Sequence, residues 1–434
     1  MNNAFTNVMF KNRVFLFLQG PHGPFFDQLA TMLTKAKAQV WRIGFNQGDA
    51  YFWRNPERFI GFNDTLDHWE TFFETTVDEK SVTDIVLYGD TRAIHAQAIK
   101  IAKAKNITVH VFEEGYLRPY WFTYERNGAN GHSKLMDMTV DQMREDLENS
   151  TLEMPLPPAH WGDTRQHVFY GALYHWHVMF RNRKFPNFRP HRTLTVAQEF
   201  KLYVKRLGMM PLHSIRRALA TRKIHRGGFP YHLVLLQLEH DASFQMHSPF
   251  QNMTDFLTLC VENFAKGAPS HHHLVFKAHP LEDGRAKISD ALKTLAKDYG
   301  LEDRIHYVRG GKLAKLLNDA RTAVTMNSTA GQQVLWRGIP LKAFGKAVYS
   351  KPEFMSDQSL AEFFAAPTRP DNRAYKEFRR YLMETSQVPG GFYSSKGRRQ
   401  ALRLVIDMML SDEDPYEALK SGHAAPRQQL RAVN

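Results

Sequence analysis

Val111-Phe112-Glu113-Glu114-Gly115-Tyr116-Leu117-Arg118 is the stretch from which the fold can be read. It continues a β-branched run, Ile107-Thr108-Val109, of the kind that forms a buried strand, and Gly115 marks the turn at that strand's carboxyl end. In open α/β sheets this edge is where ligands bind. Glu113 and Glu114 are therefore expected at the mouth of a cleft, with Arg118 beside them. Repulsion between two such carboxylates can raise the pKa of one of them, which suits acid/base or nucleophilic work on a sugar. A solvated acidic turn accounts for the same eight residues without any chemistry.

Upstream, the same pattern repeats. Arg13–Leu18 reads as a first strand, Gln19-Gly20-Pro21-His22-Gly23-Pro24 as a glycine-rich turn, and Phe25–Lys37 as a helix. This is the opening of a nucleotide-type α/β domain, although Gly20 and Gly23 lack the dinucleotide spacing and prolines interrupt them. The two glycines let a backbone approach a ligand closely; a tight turn with no ligand fits equally. Val40–Phe45 is a second strand ending in Asn46-Gln47-Gly48-Asp49. Asp84–Leu87 is a third, ending in Tyr88-Gly89-Asp90-Thr91-Arg92 before a helix over 93–105. Ile107–Phe112 is the fourth. Each strand end carries Gly with a polar or acidic residue, and that recurrence along one sheet edge strengthens the reading of a cleft.

Downstream, the charge changes. Between His160 and Arg226 there are 14 Lys and Arg against two acidic residues, so this segment holds nearly all of the chain's formal net charge of +13. It also carries Trp161, Phe169, Tyr170, Tyr174, Trp176, Phe180, Phe185 and Phe188. A helical linker with a solvated basic face explains it; a surface for anionic lipid or for nucleic acid explains it too. The concentration of charge in one aromatic-rich segment favours a membrane face over a nucleic-acid groove. His175 and His177, two apart, do not share a helix face and are not read as zinc ligands.

A second α/β unit begins near Gly228. Tyr231–Leu238 is a buried parallel-type strand, followed by a polar loop from Glu239 to Ser248. A helix over 252–266 leads to the strand His273–Phe276, which ends in Lys277-Ala278-His279-Pro280. Neighbouring side chains along a strand point to opposite faces, so His271–His273 is not a metal cluster. Arg304–Val308 and Thr322–Thr325 are further strands. The second of these runs into Met326-Asn327-Ser328-Thr329-Ala330-Gly331 and a helix to about Arg337, an arrangement able to hold a phosphate or carboxylate. An ordinary N-cap by Asn327 or Ser328 would look the same. Leu341–Phe344 is the last strand, and the chain from Tyr375 onward is helical and polar.

At 434 residues and 43% hydrophobic composition the chain calls for two domains. Its single cysteine, Cys260, excludes an internal disulfide and points to a reducing compartment. Val14–Leu18 is too short for a signal-peptide core, and no stretch is long enough to span a bilayer. There is no internal repeat.

Four separated motifs resemble one family. Leu18-Gln19-Gly20-Pro21 with Gly23-Pro24-Phe25-Phe26, then Phe112-Glu113-Glu114-Gly115-Tyr116-Leu117-Arg118-Pro119, then His279-Pro280, then Asn327-Ser328-Thr329-Ala330-Gly331 are similar to the KpsS-type capsular polysaccharide biosynthesis/export proteins, collinearly from about residue 13 to 393. The resemblance implies a GT-B-like α/β fold: two Rossmann-like domains facing a cleft, with a basic helical insertion. It implies an N-terminal acceptor and nucleophile domain over 1–150, a basic aromatic-rich helical segment over 151–227, a C-terminal CMP-sugar-binding domain over 228–374 and a helical tail over 375–434.

By the same resemblance the activity is a retaining β-Kdo transfer from CMP-Kdo to a phosphatidylglycerol-type lipid at the inner-membrane face. No metal or cofactor is needed, no nucleic acid is bound, and other capsule assembly proteins are possible partners. The protein is then cytoplasmic and peripheral on the inner membrane. Glu114, Glu113 and His279 are the catalytic candidates. Glu114 stands where relatives carry a nucleophilic Asp before a glycine, a departure from the family pattern. Gly20, Gly23 and Arg118 in the first half are donor-binding candidates, as are Gln237, Lys277, Pro280, Asn327, Ser328 and Thr329 in the second. Another CMP-sugar transferase, or a non-catalytic capsule-assembly adaptor, are the rival readings.

Overall fold

The computed structural model describes residues 13–119, 121–148, 150, 164–189, 196–282 and 284–423. They form two compact units. One comprises the chain up to Lys134, Gln142–Ala197 and the chain from Arg380; the other comprises Leu135–Asp141 and Gln198–Arg379.

The first unit is built on strands β1 (Val14–Phe17), β2 (Gln39–Gly44), β3 (Phe59–Gly61), β4 (Asp84–Tyr88), β5 (Thr108–Glu114) and β6 (Trp121–Arg126). The second unit holds β7 (Tyr231–Leu235), β8 (His273–Lys277), β9 (Ile305–Val308), β10 (Ala320–Thr325) and β11 (Leu341–Ala343). The chain then returns to the first sheet with β12 (Gln387–Pro389). The sheet orders are β12-β6-β5-β4-β1-β2-β3 and β11-β10-β7-β8-β9. All neighbours are parallel except β5 with β6 and β6 with β12. The fold class is the expected one, α/β with two Rossmann-like units.

Alternation along β1 explains why helices cover both faces of the first sheet. Phe15 and Phe17 pack with Phe25, Phe26 and Leu29 of the helix Phe25–Lys35 and with Val405 and Met409 of the helix Ser395–Leu410. Val14, Leu16 and Leu18 pack on the other side with Trp69, Phe73, Ala98 and Ile101. A strand buried on both faces has to be apolar at every position, which is why it reads as a continuous run rather than an alternating one. Each such side chain contributes about 1.5–3 kcal/mol when fully buried.

Boundaries mostly agree with the sequence reading, with two corrections that matter for the site. The fourth strand does not stop at Phe112. It runs through Glu114, because residues 121–126 fold back antiparallel, setting Glu113 opposite Thr123 and Glu114 opposite Phe122. The sequence reading contains no strand over 121–126, nor over 59–61 or 387–389. The helix expected from Gly331 to about Arg337 spans only Gly331–Leu335, since Gly338, at φ +66°, turns the chain toward β11.

Of the basic segment, residues 151–163 and 190–195 lie outside the described residues. Its aromatics divide between core and surface. Tyr174 and Phe185 are buried, whereas Phe169, Trp176 and Phe180 are exposed. The Tyr174 hydroxyl accepts hydrogen bonds from Gln19 and Asn46 and donates to Asp49, anchoring the helix Thr164–Phe180 to the first unit. Among the described residues no helix is long and apolar enough to cross a membrane.

A buried charge sits at the amino edge of the first sheet. Asp84, 1% exposed, accepts from Arg13, from Thr83 Oγ1 at 2.6 Å and from His110 Nε2 at 2.8 Å, and His110 Nδ1 accepts from the Tyr124 hydroxyl at 2.7 Å. Burial alone raises a carboxylate's pKa. Here the hydrogen bond from His110 and the Arg13 charge outweigh it and hold Asp84 well below the usual range, while burial lowers His110 and keeps the imidazole neutral. A depressed carboxylate pKa contributes stability above its unfolded value and loses it as pH falls. Asp84→Asn should therefore cost about 3–5 kcal/mol at neutral pH, and the deficit should shrink below about pH 4, as measured by urea unfolding across pH.

Candidate functional site

In the first unit the chain changes winding direction between β1 and β4, and the loops leaving those strands meet there. Arg92 Nη1 donates to Gln19 Oε1 at 2.5 Å across the gap. Next to it, β5 carries the carboxylates. The Glu114 backbone N–H donates to Glu113 Oε1 at 2.9 Å, and the Tyr88 hydroxyl donates to Glu114 Oε1 at 3.1 Å. Tyr393, brought in after β12, comes close to Tyr88, and its ring stacks on the exposed His167 with centroids 3.8 Å apart and planes within 4°. The negative charge of Glu114 reaches both His167 and Tyr393.

The two carboxylates therefore differ in environment. Removal from water lifts Glu113 to about 7, and the charge of Glu114 adds to the rise; the Glu114 N–H and Arg118 oppose it. Tyr88 is pushed far above the ordinary phenol range by burial and by Glu114, so its hydroxyl keeps its proton and donates. Arg118 is exposed and donates from Nε to the Gly115 carbonyl at 3.2 Å. One carboxyl is thus poised near neutrality beside another that is held by a phenol.

Gly20 and Gly23 lie on the same edge, but the space they leave is filled by the protein's own rings. A Cβ on Gly20 would stand 2.4 Å from the Phe26 ring, and Gly23, at φ +108°, has Tyr170 at 3.1 Å. Packing alone therefore accounts for both glycines.

In the second unit the winding reverses between β7 and β10, and again a side-chain bridge spans the switch. Gln237 Nε2 donates to Asn327 Oδ1 at 2.7 Å, and the Asn327 N–H donates to Gln237 Oε1 at 3.0 Å. Both residues are buried. This pairing shows that Asn327 is not an N-cap; Ala330 occupies that position without a side-chain bond, and Ser328 Oγ accepts from the Ala330 N–H at 3.2 Å. Ser328 and Thr329 remain partly exposed on the loop. Lys277 ends β8, buried. His279 follows, half-buried, with Nδ1 accepting from the Leu281 N–H at 3.2 Å, and then the exposed Pro280. All seven candidates of this unit lie at carboxyl ends of its strands. His272 and His273 each bond one further imidazole, His232 at 3.0 Å and His306 at 2.9 Å respectively, as side chains on opposite faces of a strand do.

Sequence reasoning missed Tyr88's role, Tyr393 and His167. Tyr88 stood in a strand-end stretch already singled out for its polarity; nothing near Tyr393 or His167 signals proximity to a residue some 280 positions or 50 positions away.

The chain belongs to the capsule polysaccharide biosynthesis protein family, which it matches over residues 83–393. It is 31% identical over 402 residues to the capsule polysaccharide export protein KpsS of Escherichia coli, covering 90% of this chain and 99% of that one. It is also 31% identical over 405 residues to the capsule polysaccharide modification protein LipB of Neisseria meningitidis, covering 91% and 95%. A solved structure of Thermosulfurimonas dismutans KpsC, a beta Kdo 2,7 transferase, aligns over 92% of this chain and all of that one with a TM-score of 0.44 and 13% identity.

The β5–β6 turn leaves no room at Gly115, where a Cβ would stand 2.1 Å from the Trp121 carbonyl oxygen. Gly115→Ala should force the hairpin apart, cost about 1–3 kcal/mol and displace Glu114. The expected result is a lowered Tm together with faster amide exchange at residues 113–122.

Proposed function

We propose that this chain is a retaining β-Kdo glycosyltransferase that moves Kdo from CMP-Kdo to a phosphatidylglycerol or lysophosphatidylglycerol acceptor, starting the linker on which a capsular polysaccharide is built. The observation that carries this reading is the pair Glu113 and Glu114 at the end of β5, two adjacent carboxyls in different environments, in a chain of the capsule biosynthesis family. Retention requires two displacements at the anomeric carbon. In the first, the Glu114 carboxylate forms a bond to that carbon and the bond to the CMP phosphate oxygen breaks, the electron pair leaving with CMP. In the second, the acceptor hydroxyl displaces Glu114 and gives its proton to Glu113. Tyr88 holds the Glu114 oxygen that it hydrogen-bonds. In the second unit Gln237 and Asn327 fix the loops, His279 supplies a donor to the nucleotide phosphate, and Ser328 and Thr329 bind that phosphate or the Kdo carboxylate; the modest charge of the leaving group is one that polar donors can stabilise without a cofactor.

A lipid acceptor requires the enzyme to reach a bilayer surface. The helix Thr164–Phe180 and the turn after it expose Phe169, Trp176 and Phe180, with Arg181 5.1 Å above the Trp176 ring. Aromatic rings and cations together suit an anionic interface. This supports peripheral attachment to the cytoplasmic face of the inner membrane.

Glu114→Ala should abolish transfer while CMP still binds, and intact-mass measurement with CMP-Kdo should show a Kdo adduct on the wild type that the variant lacks. A general base titrating near 7 makes the rate rise with pH through that value. Glu113→Gln should lower turnover by about 10²–10⁴-fold and remove that acid limb; an unchanged pH–rate profile would remove Glu113 from the proton transfer.

Replacing Arg181, Arg183, Lys184 and Arg189 together by Gln should weaken sedimentation with phosphatidylglycerol vesicles, each cation being worth about 1 kcal/mol near an anionic leaflet. Activity on a short water-soluble acceptor should persist. Equal loss of both would place these residues in the folded core instead.

A further inference from the structure

Lys277 is an expensive residue to bury. It ends β8 at 6% exposure, and among the described residues its ammonium reaches only the Ala278 carbonyl, at 3.4 Å. Among the described residues no carboxylate forms an ion pair with it. The charged group that acts on it is another cation, Arg217, from the helix Val196–Gly227. Burial and then Arg217 bring the Lys277 pKa down to about 8. A buried cation repelled by a second cation is destabilising unless an anion completes the site.

The surroundings are shaped for one. β9 leads into Arg309-Gly310-Gly311, with Gly310 and Gly311 at φ +73° and +86°. The Arg217 stem lies directly on Gly311, its Cδ 2.7 Å from where a Cβ would stand. Pro280 Cα is 3.5 Å from the corresponding point on Gly310, so the loop after Lys277 and the loop after β9 adjoin. Arg309 donates to His213 Nε2 at 3.0 Å and to the Glu282 carbonyl at 3.4 Å, and Arg217 donates to Ser214 Oγ at 3.0 Å. All three partners are acceptors without a formal negative charge. The nearby Glu282 carboxylate accepts from the Gly284 N–H at 2.7 Å.

We infer that Lys277, Arg217 and Arg309 form an anion pocket at the carboxyl edge of the second sheet, and that its ligand is the phosphate group of a phosphate ester. In the donor reading above that ester is the nucleotide, and to this extent the inference rests on that reading. Of the three cations only Lys277 is a donor-binding candidate of the sequence analysis, and Arg217 makes the long basic helix part of the site.

The test is calorimetric titration of the full chain with CMP, with glycerol 3-phosphate and with cytidine, alongside thermal unfolding. At least one phosphate ester should bind wild type, and at least tenfold more tightly than cytidine. Arg217→Gln and Arg309→Gln should each weaken that binding at least tenfold. Lys277→Met should abolish it while raising the Tm of the unliganded protein, because it removes an uncompensated buried charge; a structural lysine would lower Tm instead. Wild-type affinity in Arg217→Gln and Arg309→Gln, or no binding of either ester to wild type, overturns the pocket. Binding of glycerol 3-phosphate but not CMP, weakened by these variants, upholds the pocket and defeats the nucleotide reading. CMP binding that ignores all three substitutions upholds the nucleotide reading and defeats the pocket.

Discussion

Each sheet reverses its winding beside its first strand, and the loops that diverge there must be held by something other than strand pairing. In the second unit the Gln237–Asn327 pair does this with two hydrogen bonds between buried groups. In the first, Arg92 and Gln19 do it, with Tyr174 closing the other side of Gln19. A parallel sheet provides hydrogen bonds only along its strands, so the crevice at the switch is left with unpaired polar groups unless side chains reach across. The functional candidates of both units lie beside these bridges, and their positions depend on them.

The β5–β6 hairpin imposes the second constraint. Antiparallel pairing carries β5 two residues beyond the point where a solely parallel strand would end, so Glu113 and Glu114 are fixed by a ladder rather than carried on a loop. That rigidity is what allows adjacent carboxyls to diverge chemically. One is desolvated and faces its own backbone turn; the other accepts from Tyr88. Catalytic groups placed on strands are held more tightly than groups on loops.

The basic segment carries more than one role. Tyr174 and Phe185 are core residues of the first unit, Phe169 and Phe180 are surface, and Arg217 in the helix Val196–Gly227 packs on Gly311 in the second unit. Charge counting treats these residues as one basic stretch. Packing divides them among structure, surface and site, because a helix presents different faces to different neighbours.

The sequence by itself determined the α/β class, the two Rossmann-like units, most strand positions and the edge on which the candidates lie. Buried parallel strands must be continuously apolar and their exits polar, and both signals are local. Glu113, Glu114, Lys277 and Asn327 were legible as strand-end residues for that reason. Only the tertiary structure decided that β5 continues through the carboxylates, that Tyr393 and His167 stand beside Glu114, and that Arg217 and Arg309 join Lys277. Gln387, whose Oε1 accepts from the Leu117 N–H, lies 270 residues from its partner. Contacts of that kind are made by chain return and strand pairing, which leave no periodicity in the sequence around either residue.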